Sequence, residues 1–91
     1  MKVGLIGEKL GHSFSKMIHE QIMDYTYDLI PLNIDEFHSF MKEKKFDAIN
    51  VTIPYKEKVL PYLDYIDGNA KKIGAVNTIV NIDNKLYGYN T

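Results

Sequence analysis

The 91-residue sequence predicts an α/β fold, a three-layer sandwich in which a mostly parallel, mixed β-sheet carries helices on both faces and ends in a C-terminal β-hairpin. Short apolar runs alternate with segments of helical periodicity, which is typical of parallel sheets covered by crossover helices. Two strand-like runs flank Asp83 and Asn84, and asparagine tolerates the positive φ of a tight hairpin turn. Hydrophobic residues make up 45% and charged residues 25%, a composition that indicates a folded globule.

The first half of the chain predicts two strands and two helices. Residues 3–6 form a short apolar run that ends at a glycine, and residues 27–32 form a second one. Between them, Ser13 to about Asp24 places apolar residues on one helical face. Asn33 followed by Glu36 has the spacing of a capping box, so a helix is expected from there to Lys45.

The second half predicts a third strand over residues 47–52 and a helix whose first turn holds Pro54, where the missing N–H costs nothing. A short helix is expected from Asp67, as N-cap, to Ile73, with Gly74 ending it. Residues 75–82 and 85–89 are the two strands of the hairpin.

Charge and residue usage exclude several classes of function. The net charge is -1, so a nucleic-acid or anionic-membrane surface, which needs a basic excess, is not expected. There is no cysteine, and the three histidines fall on different predicted elements, so no metal ligand set is expected. No apolar run approaches the roughly 20 residues of a membrane span, and no signal-peptide pattern precedes the first strand. A cytoplasmic location is therefore the expectation.

In such folds, ligands bind beyond the carboxyl ends of the strands. After the first strand, Ser13 and Ser15 stand at a predicted helix start, where free N–H groups and hydroxyls suit a carboxylate. An N-cap role alone would also explain a serine there.

After the third strand come Thr52 and Lys56. In the first turn of the predicted helix, the ammonium of Lys56 would be repelled by the helix dipole, which favours proton transfer. The alternative is an ordinary exposed lysine in a charged run. The third candidate is Asn77, an asparagine inside an apolar strand, whose amide must find partners unless the strand lies at a solvated edge.

Together, these residues resemble one family, the shikimate dehydrogenases, in their N-terminal substrate-binding domain. The matching pieces are GLIGEKLGHSFSKMIH, INVTIPYKEKV, YIDGNAKKIGAVNTIV and KLYGYNT, and they occur in family order over nearly the whole chain. The family reaction is the reversible, NADP-linked reduction of 3-dehydroshikimate to shikimate. The resemblance implies that Ser13 and Ser15 hold the substrate carboxylate, that Thr52, Asn77 and Lys56 bind the ring hydroxyls, and that Lys56 is the catalytic lysine.

The sequence also departs from the family pattern. It stops at Thr91, before the aspartate that pairs with the lysine, and it has no G-x-G-x-x-G nucleotide motif. Residues 1–91 are therefore expected to be a truncated substrate-binding domain, inactive alone, with NADP bound by an absent C-terminal Rossmann domain. A stand-alone module for small carboxylates, a quinate/shikimate dehydrogenase of broader specificity, and assembly as a homodimer stay open. A phospho-receiver domain is rejected because Asn50 and Thr52 stand where its phosphorylated aspartate should be.

Overall fold

A computed structural model describes residues 2–8 and 27–91 of the chain. The described residues form one six-stranded sheet. Its strands are β1 (Val3–Gly7), β2 (Tyr27–Pro31), β3 (Ala48–Val51), β4 (Tyr65–Ile66), β5 (Thr78–Ile82) and β6 (Lys85–Tyr89). The described helical segments are α1 (Ile34–Glu43), a 3-10 helix (Leu60–Tyr62) and α2 (Gly68–Ile73). The mixed α/β class and the C-terminal hairpin are confirmed.

Both described α-helices start where the sequence indicates and α2 also stops there, whereas α1 ends at Glu43 rather than at Lys45, because Lys44 has left-handed backbone with φ of 54°. The Asn33 side chain accepts a hydrogen bond from the Glu36 N–H (2.8 Å), and the Glu36 carboxylate accepts one from the Asn33 N–H (2.9 Å), which completes the capping box of α1. The Asp67 carboxylate caps α2 by accepting from the Asn69 N–H, and Gly74 ends it with φ of 78°. Left-handed backbone of this kind favours glycine.

The sheet has the strand order β2-β1-β3-β5-β6-β4. β1 is parallel to both of its neighbours, so that Val3 lies opposite Tyr27 on one side and opposite Ala48 on the other. β5 is antiparallel to β3 and β6, and β4 pairs in parallel with β6 at the edge. Three of the five strand pairings are therefore parallel, as the sequence predicts.

Alternation along the strands gives the sheet two different faces. The helical face packs against α1 and α2 in one apolar cluster, to which the strands contribute Ile6, Ile49, Val51, Ile79 and Leu86. The opposite face carries the residues between these, namely Leu5, Tyr27, Asn50, Thr78 and Tyr87. The predicted helix from Ser13 to about Asp24 lies outside the described residues, so the second helical layer of the sandwich stays a prediction.

The predicted helix after Pro54 is wrong. Residues 53–59, all of which the structure describes, form turns, and the only helical segment that follows before α2 in this described stretch is the 3-10 helix. The Lys56 carbonyl, which an α-helix would use for the Leu60 N–H, accepts instead from the Val76 N–H at 2.9 Å, and the Leu60 N–H donates to Glu57. A tertiary contact therefore replaces the helical hydrogen bond.

One strand is not predicted from the sequence, and the start of another differs from its prediction by three residues. The two-residue strand β4 lies in a stretch for which the sequence predicts no strand, and it forms because its backbone pairs with β6. β5 begins at Thr78 rather than at residue 75. None of the helices that the structure describes is both long and apolar enough to cross a membrane.

Candidate functional site

A cleft of about 390 Å³ opens where β1 and β3 end, on the opposite face of the sheet. Three of the residues that the sequence singles out, Thr52, Lys56 and Asn77, line it together. Its other lining residues are Leu5, Tyr27, Asn50, Val51 and Thr91. The fold therefore brings a hydroxyl and an ammonium from one turn, and a carboxamide from a distant segment, to one concave surface.

Backbone hydrogen bonds hold the turn that carries Thr52 and Lys56. The Thr52 N–H donates to the Ile6 carbonyl (3.0 Å), which extends the β1–β3 pairing by one residue beyond β3. The Thr52 carbonyl accepts from the Tyr55 N–H (3.0 Å), and the Lys56 carbonyl accepts from the Val76 N–H (2.9 Å). Both Thr52 and Lys56 are half-buried. Their positions relative to the sheet are thus set by main-chain contacts.

Tyr55, between Pro54 and Lys56, anchors this turn in the apolar cluster of the helical face. Its side chain is fully buried, its ring stacks on Phe37 with centroids 4.2 Å apart, and its hydroxyl donates to the Leu32 carbonyl at 2.6 Å. Burial, reinforced by the carboxylates of Glu8 and Glu36, raises the pKa of Tyr55, so the phenol stays protonated and keeps donating.

The expected helix dipole at Lys56 does not arise, because residues 53–59 form turns in the described chain. Lys56 instead lies between two clefts. The second cleft, of about 360 Å³, is lined by Ile53, Pro54, Lys56, Glu57, Lys58 and Ala75. A side chain that borders both depressions can contact ligands in either of them.

Asn77 lies just before β5, not inside a strand, and β5 is an interior strand flanked by β3 and β6. Solvation at a sheet edge therefore does not explain this asparagine. Its Oδ1 accepts from the Thr78 hydroxyl (3.0 Å) and from the Thr91 N–H (3.1 Å), while its Nδ2 donates to the Thr91 carbonyl (3.0 Å). Its main chain bridges β3 and β6, because its carbonyl accepts from Val51 and its N–H donates to Tyr89.

Tyr27 and Asn50 line the cleft although the sequence does not single them out as site residues. The Tyr27 hydroxyl donates to Asn50 Oδ1 at 2.8 Å. Burial raises the pKa of the Tyr27 phenol, which keeps this donor protonated. The sequence does contain an indication for Asn50, because a polar residue flanked by Ile49 and Val51 in an apolar strand needs a hydrogen-bond partner. For Tyr27, the sequence indicates only that it belongs to a strand.

The two remaining predicted site residues, Ser13 and Ser15, lie outside the described residues. Among residues 2–8 and 27–91, no group of three or more His, Cys, Asp or Glu side chains is placed so that it could hold a metal ion.

Comparisons with known proteins agree on one family. Residues 5–79 match the family model described as the shikimate dehydrogenase substrate binding domain. A curated shikimate dehydrogenase (NADP(+)) from Clostridium beijerinckii is 50% identical to the chain, over 97% of the chain and 36% of that protein. The chain thus spans little more than a third of the length of this curated relative.

Solved structures of similar proteins have the same fold. A shikimate dehydrogenase from Peptoclostridium difficile superposes with a TM-score of 0.87 at 41% identity, over 98% of the chain and 36% of that protein. A shikimate 5-dehydrogenase from Thermus thermophilus, solved in complex with NADP(H) and shikimate, gives a TM-score of 0.84 at 28% identity, over 97% and 36% of the two chains.

Proposed function

Because this chain belongs to the shikimate dehydrogenase substrate-binding domain family, we propose that it is the substrate-binding domain of an enzyme that reversibly reduces 3-dehydroshikimate to shikimate with NADPH. The observation that carries this proposal is the convergence of Thr52, Lys56 and Asn77 on one cleft at the ends of β1 and β3. Thr52 and Lys56 lie on one turn, whereas Asn77 comes from a segment more than twenty residues further along, so the meeting of this turn with Asn77 reflects the tertiary fold.

The chemistry of the cleft suits a small hydroxylated carboxylate. The Thr52 hydroxyl and the Asn77 carboxamide can exchange hydrogen bonds with ring hydroxyls, and the Lys56 ammonium can donate to them. Ser13 and Ser15 bind the substrate carboxylate in this proposal, with charge-assisted hydrogen bonds from their hydroxyls. Their assignment rests on the family motif alone.

Lys56 is the catalytic residue in this proposal. When the substrate carbonyl is reduced, its oxygen gains negative charge, which a nearby ammonium stabilises. The ammonium then gives a proton to that oxygen, and in the oxidative direction the neutral amine takes the hydroxyl proton back. The 91 residues contain no G-x-G-x-x-G motif, so the hydride donor NADPH would be held by a nucleotide-binding domain of a longer protein.

The proposal extends to location and partners. A net charge of -1 and the lack of cysteine fit a cytoplasmic protein that acts on small molecules rather than on nucleic acid or membranes. Assembly as a homodimer is part of the same proposal and is measured by sedimentation of the chain at several concentrations.

The test is a shikimate titration of the 91-residue chain, followed by ¹H–¹⁵N NMR. Amide shifts should cluster at Thr52, Lys56 and Asn77, together with Ser13 and Ser15. No NADP-dependent turnover is expected from this polypeptide alone. Shifts confined to another surface, or steady NADPH production above a blank, would overturn the proposal.

Two further arms separate the alternatives. Lys56→Ala should weaken shikimate binding, whereas Lys58→Ala, which alters an exposed lysine in the same charged run, should not. A parallel titration with quinate tests broader specificity. Equal affinity for shikimate, quinate and a simple carboxylate such as benzoate would favour a general carboxylate-binding module instead.

A further inference from the structure

A chain of side-chain hydrogen bonds runs along the opposite face of the sheet beneath the cleft. The Tyr27 hydroxyl on β2 reaches across β1 to Asn50 Oδ1 on β3 (2.8 Å). Asn50 Nδ2 donates to the Thr78 hydroxyl (3.3 Å), and that hydroxyl donates to Asn77 Oδ1 (3.0 Å). Side chains on β2, β3 and β5 are thereby connected to Asn77, one of the residues proposed to bind the substrate.

The donors and acceptors in this chain have one consistent direction. Asn50 Oδ1 accepts a hydrogen bond from the Tyr27 hydroxyl, and this orients Asn50 Nδ2 towards Thr78. The Thr78 oxygen accepts there and directs its own proton to Asn77 Oδ1, which also accepts from the Thr91 N–H. The Thr91 hydroxyl is a third, longer donor at 3.4 Å, so Asn77 Oδ1, which has two lone pairs, is fully occupied. Asn77 Nδ2 donates one N–H to the Thr91 carbonyl at 3.0 Å, so its second N–H is the donor that Asn77 can offer to a ligand.

We propose that Tyr27 is a positioning residue of this site, which acts through Asn50 and Thr78 to fix the orientation of the Asn77 carboxamide. The orientation selects a ligand whose ring hydroxyl oxygen accepts a hydrogen bond from Asn77 Nδ2. This inference rests on the proposed function only for the identity of that ligand, because the series of hydrogen bonds is present in the polypeptide without any ligand.

The phenolic hydroxyl, rather than the ring, carries this role. Tyr27 is 8% exposed, and phenylalanine would fill nearly the same volume against β1 and β3. Tyr27→Phe therefore removes one hydrogen bond and leaves the packing in place. The freed Asn50 Oδ1 can then exchange places with Nδ2, so that the Thr78 hydroxyl loses its fixed direction.

The first measurement follows the side-chain amide resonances of the asparagines in the 91-residue chain without ligand. Tyr27→Phe should shift the Asn50 and Asn77 side-chain signals. Asn81 is an internal control in the same spectrum, because its Nδ2 is held separately by the Lys44 and Phe46 carbonyls at 3.0 Å each. Tyr65→Phe, which alters a tyrosine that is 48% exposed on the edge strand, is the matched control variant.

A Thr78→Val background tests whether the effect passes through Thr78. The shift of the Asn77 signal caused by Tyr27→Phe should vanish there, because the connection is already broken. An Asn77 signal unmoved by Tyr27→Phe, or moved equally in both backgrounds, would overturn the proposal whether or not the chain binds shikimate.

The second measurement is shikimate affinity. Loss of one orienting hydrogen bond should weaken binding by about 3–10-fold in Tyr27→Phe and leave Tyr65→Phe unchanged. If the parent chain binds shikimate and Tyr27→Phe binds it within twofold, Tyr27 does not position the site, and the proposed function stands. If the parent chain does not bind shikimate, the proposed function fails, and the amide shifts alone decide the role of Tyr27.

Discussion

The two faces of the sheet use neighbouring residues for opposite purposes. On the helical face, Ile49 and Val51 are almost completely buried, in one apolar cluster with residues of α1 and of the turns at 53–59. On the opposite face, Asn50, which lies between them in sequence, makes hydrogen bonds beside the cleft. Because side chains alternate along a strand, one four-residue strand supplies both the core and the lining of the cleft.

Tyr27 and Tyr55, the two tyrosines that are buried among the residues the structure describes, show the same difference. Tyr55 donates to a main-chain carbonyl within the apolar cluster and thereby holds the chain in place. Tyr27 donates to a side-chain amide that lines the cleft. The first hydrogen bond therefore contributes to stability, and the second contributes to the geometry of the site. Substitutions on the two faces should accordingly separate stability from binding and catalysis.

The largest effect is expected at the cleft, for Lys56→Ala in a longer protein that joins this domain to a nucleotide-binding domain. Steady-state kinetics should show kcat lowered by about 10²–10⁴-fold, the range for loss of a general acid–base group. KM should rise far less than kcat falls, since the main role of Lys56 is in the transition state, where the substrate oxygen becomes anionic. Ser13→Ala should do the reverse and mainly raise KM.

Lys58→Ala is the matched control, and all variants need unchanged circular dichroism before kinetics are compared. A Lys56→Ala variant with kcat within a few-fold of the parent would make Lys56 at most a binding residue. In that case, substitutions on the opposite face would no longer be expected to affect catalysis more than stability.

The next largest effect is expected on the helical face. Phe37 is fully buried in the apolar cluster and stacks on Tyr55. Phe37→Ala should lower the free energy of unfolding by about 3–5 kcal/mol, through lost transfer energy and a cavity. Tyr65→Ala, at an exposed position of the opposite face, should cost far less. Urea denaturation of the 91-residue chain measures both, and equal losses would show that the two faces do not differ in this way.

A smaller effect is expected from Tyr55→Phe. It leaves the Leu32 carbonyl buried without its donor, which should cost about 1–3 kcal/mol of unfolding free energy near neutral pH. Tyr27→Phe should cost less, because water in the cleft can reach Asn50 Oδ1. If Tyr27→Phe proved the more destabilising of the two, the inference that Tyr55 contributes to stability and Tyr27 to the geometry of the site would be wrong.

The same variant has a pH signature. The pKa of Tyr55 is raised in the folded state, so above pH 10 the unfolded chain loses this proton more readily than the folded chain does. Stability should therefore fall as the pH rises through 10, and it should be fully present below that value. Tyr55→Phe should flatten part of this alkaline loss in urea titrations run from pH 8 to 11, whereas Tyr65→Phe should leave the slope unchanged.

The smallest effect is expected at the hairpin turn, which belongs to neither face. Asp83 and Asn84 both have positive φ, at 52° and 69°. Asn84→Gly removes a Cβ from left-handed backbone and should raise stability by no more than about 1 kcal/mol. Thermal unfolding measures this change, and shikimate affinity should stay the same. A change in affinity would mean that the turn is coupled to the cleft.

The comparison also separates what local sequence predicts from what it cannot. The capping box at Asn33 and Glu36, the N-cap at Asp67 and the stop at Gly74 depend on hydrogen bonds between residues two to four positions apart, and all of them are confirmed. The helix predicted after Pro54 is wrong, because the Lys56 carbonyl is taken by Val76, twenty positions away in sequence. Local periodicity carries no information about such a partner.

The candidate site divides in the same way. The sequence by itself determined the family and the α/β class, and it predicted Thr52, Lys56 and Asn77 as site residues, because the family motifs and the strand ends are read along the chain. Only the tertiary structure decided that Tyr27 and Asn50 share their cleft. Tyr27 lies 23 residues from Asn50 in sequence, and β1 lies between their two strands, so the Tyr27 side chain reaches the site across β1. The physical reason is that strand order, which is set by long-range pairing, determines which side chains meet on a face of the sheet.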